Sequence, residues 1–415
     1  MDIRKGLFSS IAAMLLLSSC QEEDRLLRSA DQKTTLEIAY FSEANFKEKY
    51  RDLLDREFPN LHYTIESYSD VVKGKISAEE WLNKHPDIDV IFVPGQQINE
   101  YIDHGLLRDM DSIATNDHYD LSLFVPSAIE FVRAYGNGKL YGIPSNFNSK
   151  AILYNKQLFD LNHVAVPTGN ETWQDVLEKS IHFVSENQPT IKGLQIDSPT
   201  PYFLLRDMGW SKGLSMYQSD NVSLNSKGWE SVWNTASEAL KSGSIVFEQE
   251  PTVDEFVRGE RAMILASYEE YTHIVQQNPA FEWNAVPIPS EEDKPGTTRH
   301  FTVDGIYAIA NQTHDEDAAW ELIKFLNSEK TMRWTSQNNH GFPALLSQID
   351  QERAAAYYHS SALLPYNDYL SISVYNLVNQ TLGQIVDNKL DVQAALEELQ
   401  SKAAIQFAEE QAGTS

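Results

Sequence analysis

The chain has 415 residues, with 33 Lys and Arg against 60 Asp and Glu, and a formal net charge of −27. So acidic a balance argues against nucleic acid as a partner and against close contact with anionic lipid. A hydrophobic share of 42% with 11% aromatics describes a globular protein and excludes a disordered one, and the length suggests about two domains.

Arg4 and Lys5 precede a mostly apolar run at 7–17 that is too short to span a bilayer comfortably. Small residues follow, then Cys20, the single cysteine. This layout reads as a secretory signal over residues 1–19. Leu17-Ser18-Ser19-Cys20 resembles the lipobox of bacterial lipoproteins. That resemblance implies lipidation of Cys20, a diacylglycerol with a further fatty acid such as palmitate. The mature chain would then be tethered to the extracytoplasmic face of the cell membrane, and two acyl chains anchor stably where one does not. Without residues 1–19, which carry a net +1 from Asp2, Arg4 and Lys5, the charge is near −28. No thiol beyond the anchor remains for an intrachain disulfide, so the fold rests on its core. A chain this long buries about 70–75% of its unfolded surface. Residues 20–33 are polar and aperiodic and read as a tether.

Residues 36–41 (LEIAYF) alternate and are rich in strand formers. Residues 44–58 have helical spacing, with Phe46, Tyr50, Leu53, Leu54 and Phe58 on one side. Residues 62–67 return to a strand pattern, and 77–84 suggest a short helix. The apolar run 88–93 (IDVIFV) before Pro94-Gly95 suits a buried strand, and 98–104 another short helix. This β-α-β-α-β order predicts a parallel sheet covered by helices. Ligands of such sheets sit beyond the carboxyl ends of the strands, here the loops after Phe41 and Val93. The middle is mostly helical, most clearly at 173–186 and 226–242, with Gly243 as a stop. Strand patterns return at 262–266, 285–288 and 306–310, with an amphipathic helix at 315–327 and a late helix at 392–407. Trp173, Trp229, Trp233 and Trp320 fall at helical spacing and read as core. Past residue 33 no series linker and no internal repeat is visible.

Several stretches, in order, carry a family resemblance. They are Pro86 to Phe92 (PDIDVIF) followed by YIDHGLL and Asp109; GKLYGIP ending at Pro144, then ILYNK ending at Lys156; Phe159, Pro167 and Thr172-Trp173; FVRGERAM ending at Met263; DGIYAIA starting at Asp304; and Gly341-Phe342-Pro343 with the helix at 391–399. Together they span nearly the whole mature chain. They are similar to the family 1 extracellular solute-binding proteins, receptors of ATP-driven importers for sugars and oligosaccharides. The resemblance implies an α/β fold of two lobes, the type II periplasmic-binding-protein-like arrangement, with several hinge crossovers near 142–148, 286–289 and 334–343. Lobe 1 would be 34–143 plus 287–334, and lobe 2 would be 144–286 plus 335–415. It also implies ligand capture in the inter-lobe cleft, lobe closure, permease subunits of an ABC importer as partners, and a monomer with no catalytic role.

A neutral sugar needs aromatic platforms and planar polar groups that both donate and accept. Phe41 and Glu43 follow the first strand, although Phe41 also suits a core and Glu43 a helix start. Gln96 follows the third strand, where a solvated turn is an equal reading. Asn146 and Asn148 flank Phe147 at a crossover, and in an extended segment both amides share one face. Trp210 is either a stacking platform or a core ring. The resemblance adds Tyr268, after the apolar strand at 262–266, and Asp304 as an acceptor for hydroxyls.

Other functions find less support. No Gly-x-Ser-x-Gly elbow and no His-Glu-x-x-His helix occurs. Neither a cofactor nor a metal site is expected, and Gly136-Asn137-Gly138 reads as a turn. A carboxylate pair for glycoside hydrolysis remains open among so many acids. So does a binder of cationic solutes such as polyamines, using Glu43, Glu269, Glu270 and Asp304, or a purely structural lipoprotein.

Overall fold

The computed structural model describes residue 27 and residues 34–218, 221–248, 252–335, 341–350, 352–366 and 370–413. Cys20, the signal and all of the tether except Leu27 lie outside the described residues. Among the described residues no helix is long and apolar enough to cross a membrane.

The first strand, Thr34–Tyr40, is followed by helix Glu43–Glu57. Ser42 starts that helix because its side chain accepts from the Asn45 N–H at 3.1 Å, satisfying one orphan donor. Phe46, Tyr50, Leu53 and Leu54 then bury one face. Strand Leu61–Ser67 pairs parallel to the first strand on one side, and strand Ile88–Pro94 pairs parallel on the other. Buried Asp89 fastens this sheet to the returning chain: its carboxylate accepts from the Glu37 N–H at 3.0 Å and from the Thr313 hydroxyl at 2.6 Å.

The first three strands are parallel, as their β-α-β-α-β order predicts, and two later strands make the complete sheet mixed. Strand Gly305–Ile309 lies antiparallel to Ile88–Pro94, and strand Ile143–Pro144 lies antiparallel to Gly305–Ile309. The reason is directional. The first three strands and Ile143–Pro144 run toward the junction between the lobes, whereas Gly305–Ile309 comes back from it.

The second sheet mirrors this logic. Strand Ala151–Asn155 leaves the junction and pairs antiparallel with Arg261–Ala266 and Trp283–Pro287, which run back toward it. Strands Lys192–Asp197 and Ile245–Glu248 extend the parallel half. Helices Trp173–Ile181, Tyr202–Ser211, Lys227–Lys241 and Ile372–Val386 pack around this core, where Trp173, Trp229 and Trp233 are buried; Trp320 is buried in the first lobe. Two large apolar clusters result, broadly one per sheet.

Between the sheets lies a small three-stranded one. Asn146–Asn148 is its central strand, flanked antiparallel by Thr302–Val303 and Phe342–Pro343. Phe147 is fully buried and stacked between Phe301, at 4.8 Å, and Phe342, at 5.3 Å. The chain therefore passes between the main sheets as paired strands, which accounts for the missing linker peptide.

Candidate functional site

A cavity of about 240 Å³ opens where the first sheet meets the small crossover sheet, lined by Tyr40, Phe41, Lys49, Phe92, Ser145, Asn146, Asp304 and Gly305. Each lining residue is placed by a strand end or a crossover, except Lys49, which the first helix supplies. Tyr40 and Phe41 sit at the carboxyl end of the first strand, and Phe92 near that of the third. Their rings meet edge-on or tilted: Phe41 is 5.1 Å from Tyr40 and 5.2 Å from Phe92. Burial pushes the Tyr40 phenol up to about 12, so it stays a neutral donor at ordinary pH.

Asp304 is the most constrained polar group. Its N–H donates to the Asn146 carbonyl at 3.2 Å, and its own carbonyl accepts from the Gly95 N–H at 2.9 Å. Its Oδ1 accepts from Asn148 Nδ2 at 2.7 Å. Bonds from the crossover strand Asn146–Asn148 and from the turn after the third strand thus hold Asp304 at the cavity wall. Lys49 is half-buried on the inner face of the first helix. Burial pulls its pKa down, and the nearby Asp304 carboxylate partly opposes that shift.

Three of the residues expected from the sequence, Phe41, Asn146 and Asp304, line this cavity, and Asn148 touches it through Asp304. Tyr268 starts helix Tyr268–Gln277 and packs edge-on against Phe342 at 4.8 Å. Burial raises its phenol, and the Asp304 carboxylate adds to the rise. The remaining three lie away from the cavity lining. Glu43 occupies the first turn of its helix, exposed and paired with Lys47 at 2.5 Å, so the helix-start reading describes its place. Gln96 is exposed in the 3-10 turn Gly95–Gln97. Trp210 is buried in the second lobe, with the Arg206 guanidinium 4.5 Å from its ring and His300 at 5.2 Å.

Tyr40, Lys49, Phe92, Ser145 and Gly305 were not singled out from sequence. Lys49 had a weak signal, since it lies three residues after the buried Phe46 and so on a neighbouring row of the helix. Phe92 had one too, because it sits close to the end of an apolar strand.

On the second lobe, Ser267 and Glu270 form a capping box at the end of strand Arg261–Ala266. Asp197, which ends its own strand, is raised to about 6, first by burial and then by the neighbouring Glu270. Nearby, Asp207 is held below the usual carboxylate range by His300 and Arg206, despite its burial. His300 stands 3.6 Å from Asp207, yet burial drives it down to about 4.

The model of the bacterial extracellular solute-binding protein family matches residues 58–359. The chain belongs to that family. Candidate binding proteins of Brucella abortus (strain 2308) and Brucella suis biovar 1 (strain 1330) are each 22% identical over 386 residues, 87% of this chain and 86% of theirs. Among solved structures, the sugar-binding protein MalE of Xanthomonas citri superposes with a TM-score of 0.65 at 15% identity, covering 91% of this chain and 98% of that one. A sugar transporter protein of Rhizobium etli in an open conformation gives 0.62 at 17% identity, covering 89% and 99%. An ABC substrate-binding protein of Listeria monocytogenes in complex with cycloalternan gives 0.58 at 17% identity, covering 91% and 100%. At these identities the likeness establishes the fold of this solute-binding protein: two α/β lobes joined by several crossovers. Its family is one of extracellular binding proteins, and the cavity lies where the first sheet meets the crossover strands.

Proposed function

We propose that this solute-binding protein captures a carbohydrate between its lobes and delivers it, chemically unchanged, to the permease of an ABC importer. One observation carries the reading. The cavity at the crossover sheet combines three aromatic rings with an amide, a hydroxyl, a carboxylate and an ammonium. Rings match the C–H faces of a sugar, and mixed donors and acceptors match its hydroxyls. At about 240 Å³ the cavity falls below the roughly 300–1,000 Å³ of typical ligand pockets, so it suits a single ring, and longer saccharides would extend into the cleft. The sugar-binding character of the MalE and cycloalternan-bound relatives supports the same assignment.

Phe41, Asn146 and Asp304 are the ligand contacts we assign first, with Asn148 and Tyr268 supporting Asp304. The lobes we assign are 34–143 plus 287–334 and 144–286 plus 335–415. Binding energy that favours the closed arrangement makes closure the signal for the permease. The lipobox-like Leu17-Ser18-Ser19-Cys20 supports a lipid anchor at Cys20.

A thermal-shift and calorimetric screen over mono- and oligosaccharides tests the reading. Binding without turnover is expected, with affinity lost in Asn146→Ala at an unchanged unfolding midpoint and in Asp304→Ala, whose midpoint falls slightly with its bond to Asn148. Product formation, or normal affinity in both variants, refutes it.

A further inference from the structure

Among the described residues, Lys49 and Asn146 are the cavity-lining polar side chains for which no hydrogen-bond partner stands, and of the two only Lys49 carries a charge. Several lysines of the first lobe have carboxylate partners: Lys47 with Glu43, Lys75 with Asp70, Lys84 with Glu80, Lys139 with Asp109; Lys73 has none but is exposed to solvent. Lys49 makes no hydrogen bond or ion pair among the described residues; its ammonium lies 5.2 Å from the Tyr50 ring centroid. That is unexpected in a chain with 60 acidic residues against 33 basic ones. The carboxylate nearest in the cavity, Asp304, already serves Asn148 at 2.7 Å. A half-buried ammonium with no direct ion pair, whose nearby carboxylate is bonded elsewhere, is costly, and a ligand that brings a carboxylate into contact recovers part of that cost.

We propose that the solute carries a carboxylate, as in a uronic-acid sugar, and that Lys49 is its counter-ion in the cavity. The inference rests on the carbohydrate reading and narrows it. A neutral hydroxyl gives Lys49 a charge-assisted hydrogen bond but no counter-charge, whereas a carboxylate supplies both. A sugar phosphate fits the charges worse. Its roughly −1.5 to −2 charge at neutral pH exceeds what one lysine balances, and the excess faces Asp304. Asp304 then accepts from ring hydroxyls while Lys49 holds the acid.

The experiment is calorimetric titration of the whole mature protein with D-galacturonate, D-glucuronate and digalacturonate, each beside its neutral counterpart. Galactose 1-phosphate is included, and the variants are Lys49→Met and Lys49→Arg. At least one acid is expected to bind about tenfold or more tighter than its neutral counterpart. Lys49→Met should bring that acid down to the neutral level, while Lys49→Arg keeps a preference. Unfolding midpoints without ligand check that both variants fold. Neutral sugars binding as tightly as the acids, an acid preference that survives in Lys49→Met, or a tighter sugar phosphate would each overturn the proposal and leave the carbohydrate reading standing. If no sugar of either kind binds, the carbohydrate reading itself falls and this one with it.

Discussion

Gly95 tests whether the crossover sheet positions the site. It follows the third strand, and its N–H donates to the Asp304 carbonyl at 2.9 Å. A Cβ added there would stand 1.9 Å from the Val303 carbonyl oxygen and 3.0 Å from the Val303 carbonyl carbon. Ordinary contact begins near 3.4 Å, so in Gly95→Ala backbone must yield by about 1.5 Å. The atom in the way belongs to a paired strand, not to a flexible side chain, so no rotamer change relieves it. Overpacking of this kind costs about 1–3 kcal/mol. For a unit of 150–250 residues, about the size of one lobe, each kcal/mol moves the unfolding midpoint by roughly 2–4 °C. Because the displaced peptide leads into Asp304, ligand affinity should fall as well. Gly383→Ala is the control: it lies inside helix Ile372–Val386, and a Cβ added there meets nothing within 4 Å. At that position, alanine should stabilise by about 0.5–1 kcal/mol and leave binding untouched. Differential scanning calorimetry with and without ligand reads both effects. A Gly95→Ala protein with an unchanged midpoint and unchanged affinity would refute the argument that this close approach sets the position of Asp304.

Asn148→Ala removes the donor to Asp304 Oδ1 and should cost about 1.5 kcal/mol, the low end for bonds to charged groups because the pair is only part-buried. Denaturant titration reads this loss, and a wild-type midpoint argues against a structural bond. His300, driven down to about 4 when folded, stays neutral there while the unfolded chain takes up a proton below its ordinary 6.5. Its contribution to stability is therefore complete above about pH 6.5 and is lost as pH falls toward 4, by up to about 3 kcal/mol. Thermal midpoints of wild type and His300→Gln between pH 4 and 7 should diverge accordingly, and parallel curves would contradict the assignment. Asp197 has the opposite sign: its folded pKa is raised to about 6, so its ionisation opposes folding as pH rises through that value. Asp197→Asn should stabilise the protein at pH 8 and do little at pH 4; equal effects at both would show that the carboxylate does not titrate there.

Local pattern alone made much of this protein legible. Strand Thr34–Tyr40, helix Glu43–Glu57 and strand Ile88–Pro94 follow from side-chain periodicity and a serine cap, both properties of neighbouring residues. The parallel pairing of the first three strands also followed from their order, whereas the antiparallel direction of Gly305–Ile309 depends on the path of a chain returning from another lobe. The same division runs through the site. Phe41, Asn146 and Asp304 stood at strand ends and crossovers, where the sequence shows that chain direction changes. Glu43 and Gln96 stood beside the same strand ends but turn to solvent, because a helix start and a 3-10 turn direct them there. Lys49 acquires meaning only in three dimensions: it is an ordinary helical lysine until residues 40, 92 and 304 close around it. Periodicity is encoded between residues a few positions apart, whereas a cavity joins residues more than two hundred apart, and only the packed chain decides which of them meet.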